Sequence, residues 1–203
     1  MVETQITPRG IADPAVLRAM ERVPRHRFVP AEYRGQAYAD HPLPIGYGQT
    51  ISQPYIVALM TELLRLDPEA RVLEIGTGCG YQSAVLAEIV AEVYTVEIVP
   101  QLAEEAGRRL AELGYTTVHC RQGDGYDGWP EYAPYNGIIV TAAAPEVPPP
   151  LVEQLAEGGR LVIPVGTYLG YQDLWLLERR KGKVDRTNCG GVLFVPLTRG
   201  RPR

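Results

Sequence analysis

Cysteine is scarce in this chain. Cys79, Cys120 and Cys189 stand singly, roughly 40 and 70 residues apart, so no CxxC pair, zinc spacing or disulfide framework can be read and no metal is expected. Long apolar runs are missing too. No stretch approaches the ~20 residues that span a bilayer, and the opening Met1-Val2-Glu3-Thr4-Gln5 lacks the charged-then-apolar pattern of a secretory signal. A soluble, cytoplasmic protein with no membrane contact is expected. An excess of positive charge is also absent: Lys and Arg total 20 against 24 Asp and Glu, a net charge of -4. The electrostatic footprint of a protein that grips phosphate backbone is therefore lacking, and nucleic acid is not an expected partner. Lysine occurs only at Lys181 and Lys183 and asparagine only at Asn136 and Asn188, beside 18 prolines. That bias is compatible with heat adaptation, but a genome's base composition produces it equally well.

The chain does have enough apolar material for a core. With 203 residues, 45% of them hydrophobic, it fits one α/β domain. Residues 1–65 read as a helical and loop extension that contributes to the site and residues 66–203 as a cofactor-binding sheet core, together a monomer. Asp13-Pro14 has the form of an N-cap and first turn, and Val16, Leu17, Met20 and Val23 give a short helix its apolar stripe before Pro24 ends it. From Phe28 to Pro54 no periodicity persists, which reads as a long ordered loop of the kind that usually carries function. A second helix fits Pro54 to Arg65. Thereafter short apolar runs alternate with amphipathic segments: strand Arg71–Ile75, helix Tyr81–Val90, strand Val93–Glu97, helix Gln101–Leu113, strand Thr117–Arg121. Ile138–Thr141, Leu151–Glu157 and Arg160–Pro164 continue the alternation, which implies a mostly parallel sheet covered on both faces. Leu174–Arg179 and Gly191–Leu197, joined through Lys181-Gly182-Lys183, read as a closing antiparallel hairpin.

The strongest local signal is Val72-Leu73-Glu74-Ile75-Gly76-Thr77-Gly78-Cys79-Gly80, a buried strand entering a glycine loop that opens a helix. Glycines there let the backbone turn sharply and approach a nucleotide closely. The spacing is GxGxG rather than GxGxxG, and no Lys-Ser/Thr ending cradles a phosphate. An uncharged or cationic cofactor fits best. Glu74 would repel phosphate but attract the ammonium and sulfonium of S-adenosylmethionine. Glu97 ends the second strand, where a carboxylate can accept both ribose hydroxyls, and Asp124 ends the third, within reach of an adenine amino group. A lone glycine loop is often only a helix-packing turn; three acidic strand ends converging on one crevice argue against that.

Further motifs are more specific. Val23-Pro24-Arg25-His26-Arg27-Phe28-Val29-Pro30, Pro42 to Tyr55 with its Gln49-Thr50-Ile51-Ser52-Gln53-Pro54 core, Gly123-Asp124-Gly125-Tyr126, Ile139 to Pro145 and Phe194-Val195-Pro196-Leu197-Thr198 together resemble the protein-L-isoaspartate O-methyltransferases over nearly the whole chain. The resemblance implies a Rossmann-like S-adenosylmethionine-dependent methyltransferase fold and transfer of a methyl group to the free carboxylate of L-isoaspartyl residues in damaged peptides and proteins, with S-adenosylhomocysteine as the second product. It places Ser52 at the family's active-site serine. Gly46, Tyr47, Gly48 and Gln49 would lie against the cofactor; Glu74, Gly76, Gly78, Glu97, Ile98, Asp124 and Gly125 match its cofactor contacts, and Thr198 falls where the C-terminal segment folds back over the site. Cys79 stands where the family usually has serine and Asn136 where aspartate is common; neither carries an assigned role.

The implied nucleophile is a carboxylate of pKa about 4, already ionised at neutral pH, so no general base is needed. Ser52 would position it by a hydrogen bond. Taken alone, Ser52 before Gln53-Pro54 reads as a plain N-cap. His26, His41 and His119 read as structural, and Trp129 and Tyr126 as core or rim. Asn136-Gly137, the dipeptide that most readily forms succinimide, is expected to be held unreactive at a strand start. Two rival functions remain open at this level: a methyltransferase for a small molecule or RNA, and a cofactor-binding scaffold without catalysis.

Overall fold

The computed structural model describes residues 1–167 and 170–200. After a helical turn at Val2–Ile6 the first α-helix, α1, covers Pro14–Arg22. Its start is the one the sequence implies: the Asp13 carboxylate accepts from the N–H of Ala15 at 2.7 Å and of Val16 at 3.4 Å, and Pro14 needs no donor at that position. Asp13→Ala should cost about 1 kcal/mol of stability, read as a lower midpoint in urea with an unchanged slope; no change in midpoint would show the cap to be idle.

The segment expected to be a long ordered loop contains regular elements as well. Two 3-10 turns, Arg25–Arg27 and Ala31–Gln36, lead into strands β1 (Leu43–Gly46) and β2 (Gln49–Ile51), an antiparallel hairpin that pairs Leu43 with Ile51 and Gly46 with Gln49. Tyr47 and Gly48 form its two-residue tip with φ of 53° and 71°, the conformation that suits the twist of a tight hairpin. The signal was present as Leu43, Ile45 and Ile51, all buried; the prolines on either side obscured it. Helix α2 (Pro54–Leu64) follows, with Gln53 at its N-cap and no side-chain cap bond. Ser52 is thus not the cap.

Then come β3 (Arg71–Ile75), α3 (Tyr81–Ala87), β4 (Glu92–Glu97), α4 (Pro100–Glu112), β5 (Val118–Gln122), β6 (Tyr135–Val140), α5 (Pro149–Glu153), β7 (Leu155–Gly166), β8 (Gln172–Arg180) and β9 (Lys183–Val192). Their order in the sheet is β5-β4-β3-β6-β7-β8-β9, parallel as far as β7 and antiparallel for the last two pairings. Two expectations shift. Residues 155–157 belong to β7 and not to the preceding helix. The hairpin's second strand starts directly after Lys181-Gly182 and ends at Val192, so residues 193–197 leave the sheet.

Alternate side chains of the parallel strands enter different cores. Val72, Val93, Ile139 and Val162 pack with Met60 and Leu64 of α2 and Leu86 of α3, while Leu73, Ile75, Tyr94, Ile138, Val140 and Leu161 pack with Leu151 of α5. Both faces are buried, which is why these strands read as continuous apolar runs. The chain runs outward from β3 through β4 to β5, then returns to β6 on the other side of β3. Strand order reverses there, and open α/β sheets bind ligands beyond the carboxyl ends at such a reversal.

Candidate active site

A cleft of about 100 Å³ opens at that reversal, between the ends of β3, β4 and β6 and the C-terminal segment. Ile75 and Gly76 come from β3 and its loop, Glu97 from the end of β4 and Ile98 from just after it, Thr141 from just after β6, and Gly125 from the turn after β5. Backbone bonds lash the strand ends together: Gly76 N–H donates to Val96 O at 2.8 Å, Gly123 N–H to Glu97 O at 2.9 Å and Thr141 N–H to Ile75 O at 2.9 Å.

The glycine loop lies where the motif placed it. Gly76, Gly78 and Gly80 have φ of 93°, 53° and 89°, left-handed values that side chains resist. A Cβ on Gly76 would collide with Thr141 Oγ1, and that hydroxyl lies 2.7 Å from Gly76 O, to which it donates. Thr141 therefore locks the loop to β6. No sequence signal marked it for that role, because its partner is 65 residues away.

The three acidic strand ends differ in environment. Glu97, nearly buried, accepts from Gly78 N–H at 2.8 Å through Oε2 and from Val99 N–H at 2.9 Å through Oε1, and it lines the cleft. Glu74 lies deeper. It is fully buried, accepts from the Ser83 hydroxyl through Oε2, and its Oε1 finds no partner among the described residues. Burial, reinforced by the Glu97 charge, pushes its carboxyl up to about 8 against the pull of Ser83 and Thr95. Asp124 caps the short turn Gly125–Asp127, its Oδ1 accepting from Tyr126 N–H at 2.9 Å; the cleft wall at this point is Gly125.

Residues 195–198 close the cleft from above. Ala143 N–H donates to Val195 O and Leu197 N–H to Ala143 O, both at 2.8 Å, and Leu197 and Thr198 line the cleft. Tyr126 ties the segment down from the far side, its hydroxyl donating to Leu197 O at 3.3 Å. Trp129 packs against Tyr94 instead, as part of the core.

Gln49 reaches the cleft from β2, whereas Tyr47, at the hairpin tip, is half exposed and directs its hydroxyl toward Glu105 at 3.4 Å. Gly46 and Gly48 flank it in the turn. The hairpin leans on the glycine loop through Ile45, whose Cδ1 would lie 3.3 Å from a Cβ on Gly78.

Ser52 follows the hairpin, on the other side of Thr50 from the cleft. It lines a groove of about 690 Å³ that runs past Arg9, Tyr55, Leu59 and Leu193, and also a small recess of about 30 Å³ shared with Glu74, Gly76, Gly78 and Thr141. Thr50 and Thr141 border all three spaces. A narrow cleft with Glu97 at its rim and a broad groove therefore meet at two threonines, while Ser52 borders the groove and the recess.

The profile of the protein-L-isoaspartate(D-aspartate) O-methyltransferase family (PCMT) matches residues 1–202. The chain belongs to this family. Its activity is that of a protein-L-isoaspartate O-methyltransferase, a repair enzyme that draws its methyl group from S-adenosylmethionine. A Gloeobacter violaceus protein of that name is 58% identical over 203 residues, covering 100% of this chain and 99% of its own. One from a Synechococcus strain is 64% identical, covering 97% of this chain and 83% of its own. Among solved structures, a protein-L-isoaspartate O-methyltransferase superposes with a TM-score of 0.87 at 32% identity, over 94% of this chain and 62% of that one. A Plasmodium falciparum relative in complex with S-adenosyl-L-homocysteine gives 0.82 at 27% identity, over 95% and 94%.

The residues of the cleft suit such a cofactor. The methyltransferase offers a buried acceptor without a partner among the described residues in Glu74 Oε1, a second carboxylate at the rim in Glu97, and a loop with left-handed glycines. That set of acceptors favours a ligand that carries positive charge and hydroxyls. Asn136, in β6, accepts from Arg71 N–H at 2.9 Å through its side chain; the side-chain carbonyl, at least, is held.

Proposed function

We propose that Ser52 seats the isoaspartyl carboxylate, that the groove beside it carries the flanking peptide, and that Glu97, Glu74, Gly76, Gly78, Gln49, Ile98, Gly125 and Thr198 hold the cofactor, with Gly46, Tyr47, Gly48 and Asp124 shaping its walls. Residues 1–203 act as one catalytic unit in the cytoplasm, the N-terminal extension to residue 65 supplying the hairpin and Ser52. The observation that carries this reading is the position of Ser52, which borders both the broad groove and the recess over Glu74.

The cofactor supplies an electrophilic methyl group. The residues of this chain have only to bind and orient, since an isoaspartyl carboxylate is ionised at neutral pH and needs no base. Among the described residues, no histidine lines the cleft, the groove or the recess. The Ser52 hydroxyl donates to one carboxylate oxygen and leaves the other free to attack. Thr50 and Thr141, at the junction, narrow the passage and keep bulk water from the reacting oxygen. Holding the partners in line is worth up to about 7–11 kcal/mol in well-oriented systems.

The acidic balance of the chain and a groove with Arg9 as its one cationic wall among the described residues favour a peptide over RNA as the substrate. Labelled S-adenosylmethionine with two peptides that differ only by Asp or isoAsp tests this. Base-labile label should enter the isoAsp peptide alone; equal labelling of both would sink the assignment. Ser52→Ala should lower kcat by about 10–100-fold, the worth of one hydrogen bond to a charged group, with affinity for S-adenosylhomocysteine unchanged. Wild-type kcat in that variant would remove Ser52 from the site.

A further inference from the structure

Arg25 is completely buried, 0% exposed. A charged side chain withdrawn from water costs several kcal/mol unless it is paired, yet no carboxylate lies within ion-pair distance of this guanidinium among the described residues. Its neighbours are neutral. Nε donates to Ala37 O at 2.7 Å, Nη2 donates to Ser52 O at 2.7 Å, the guanidinium stands 4.7 Å over the Tyr81 ring, and Nη1 has no partner among the described residues. Burial lowers its pKa from the ordinary arginine value, but an arginine keeps its proton in proteins.

Asp40, the carboxylate whose charge acts on Arg25, is otherwise engaged. Asp40 accepts from Arg9 Nη1 at 2.7 Å, from Gln53 Nε2 at 2.7 Å and from Tyr55 N–H at 3.0 Å. The two groups thus grip one short segment from two sides, Arg25 by the carbonyl of Ser52 and Asp40 by the two residues that flank the start of α2. Ser52 has no cap role that would fix it. What fixes it is this pair of clamps.

Building on the reading of Ser52 as the seat of the substrate carboxylate, we propose that Arg25 is a positioning residue for the reaction: it sets Ser52 through its backbone carbonyl, and its unneutralised charge directly behind that residue makes the seat selective for an anion. A fork of two fixed donors suits the first task and an uncompensated cation the second, and arginine combines both. The sequence marks the residue only as part of Val23-Pro24-Arg25-His26-Arg27-Phe28, in which nothing distinguishes it from Arg27.

The test compares an isoaspartyl peptide with its isoasparaginyl counterpart, a neutral carboxamide of nearly the same shape, both bound in the presence of S-adenosylhomocysteine. Wild-type protein should prefer the anion. Arg25→Gln should lose about 10-fold or more of that preference while its affinity for S-adenosylhomocysteine stays within about twofold, because only binding of the anion depends on the charge. A general loosening of the fold would weaken both peptides and the cofactor product together, and that result would overturn the proposal.

Arg25→Lys keeps the charge but cannot reach both carbonyls, and it decides the matter should the glutamine variant fail to fold. It should retain the anion preference and lose about 10-fold in kcat; wild-type kcat would overturn the proposal. In a Ser52→Ala background the same lysine change should have little further effect on kcat. If Ser52→Ala slows transfer and the Arg25 variants do not, the inference about Arg25 falls and the reading of Ser52 stands; if Ser52→Ala is silent, both fall.

Discussion

Glu97→Ala is expected to weaken binding of S-adenosylhomocysteine by about 100–1000-fold. The carboxylate holds the N–H groups of Gly78 and Val99 at 2.8 and 2.9 Å, so its loss both removes an acceptor from the cleft and unties the glycine loop from the end of β4. Hydrogen bonds to charged groups are worth about 1.5–3 kcal/mol each, and every 1.4 kcal/mol is roughly tenfold in affinity. Glu97→Gln retains one acceptor and most of the shape, so its loss should be near tenfold. Calorimetric titration of both variants, with thermal melts to show that each is folded, gives the answer. An alanine variant that binds like the wild type would remove Glu97 from the cofactor site and with it the reading of the strand ends.

Glu74 gives the second large effect, in pH dependence. Burial raises its carboxyl from 4.5 to about 8 in the folded protein, so between these values the native state holds a proton that the unfolded chain has released. The stability this proton confers is full below about 4.5 and is lost as pH rises through about 8. Across the window that loss amounts to about 1.4 kcal/mol per pH unit. Glu74→Gln, which cannot ionise, should remove this component, so wild-type and variant stabilities measured by urea titration should diverge steadily from pH 5 to pH 8. Parallel curves would show the carboxyl to be ionised at neutral pH.

The same group predicts a linkage with the cofactor. A cationic ligand beside Glu74 favours its charged form, so binding at pH 7 should expel up to one proton and tighten toward pH 8. Calorimetry in buffers of different ionisation enthalpy reads that proton directly. In Glu74→Gln the release should vanish.

Much of this molecule is legible from residue order because its signals are local. The strand Arg71–Ile75, the loop from Gly76 to Gly80 and the carboxylate of Glu97 depend on patterns within about a dozen residues: continuous apolar runs for strands buried on both faces, glycines where φ is positive, an acid at the strand end. The N-cap at Asp13 is of the same kind. Motif similarity added Ser52, which local reasoning alone would have made a helix cap and the structure frees of that task.

What was not legible depends on contacts between distant segments. The β1–β2 hairpin was obscured by the prolines of residues 42–54, and only its packing of Ile45 over the glycine loop shows why it must be there. Residues 193–197 have the composition of a strand, and by composition alone they extend the hairpin. They leave the sheet because the Phe194 N–H and O are taken by the side chain of Gln172, and Val195 and Leu197 bond instead to Ala143. That diversion is what roofs the cleft.

The amino-acid sequence by itself determined the layered α/β architecture, the glycine loop and the class of chemistry, since these rest on periodicity, on backbone freedom at a few glycines and on motifs that need no partner elsewhere. Only the tertiary structure decided that Thr50 and Thr141 stand where cleft, groove and recess meet, that Glu74 is sealed from water while Glu97 borders the cleft, and that a buried arginine backs Ser52. Each of these is a matter of desolvation and of distance across the fold, and residue order carries neither until the sheet has brought its strand ends together.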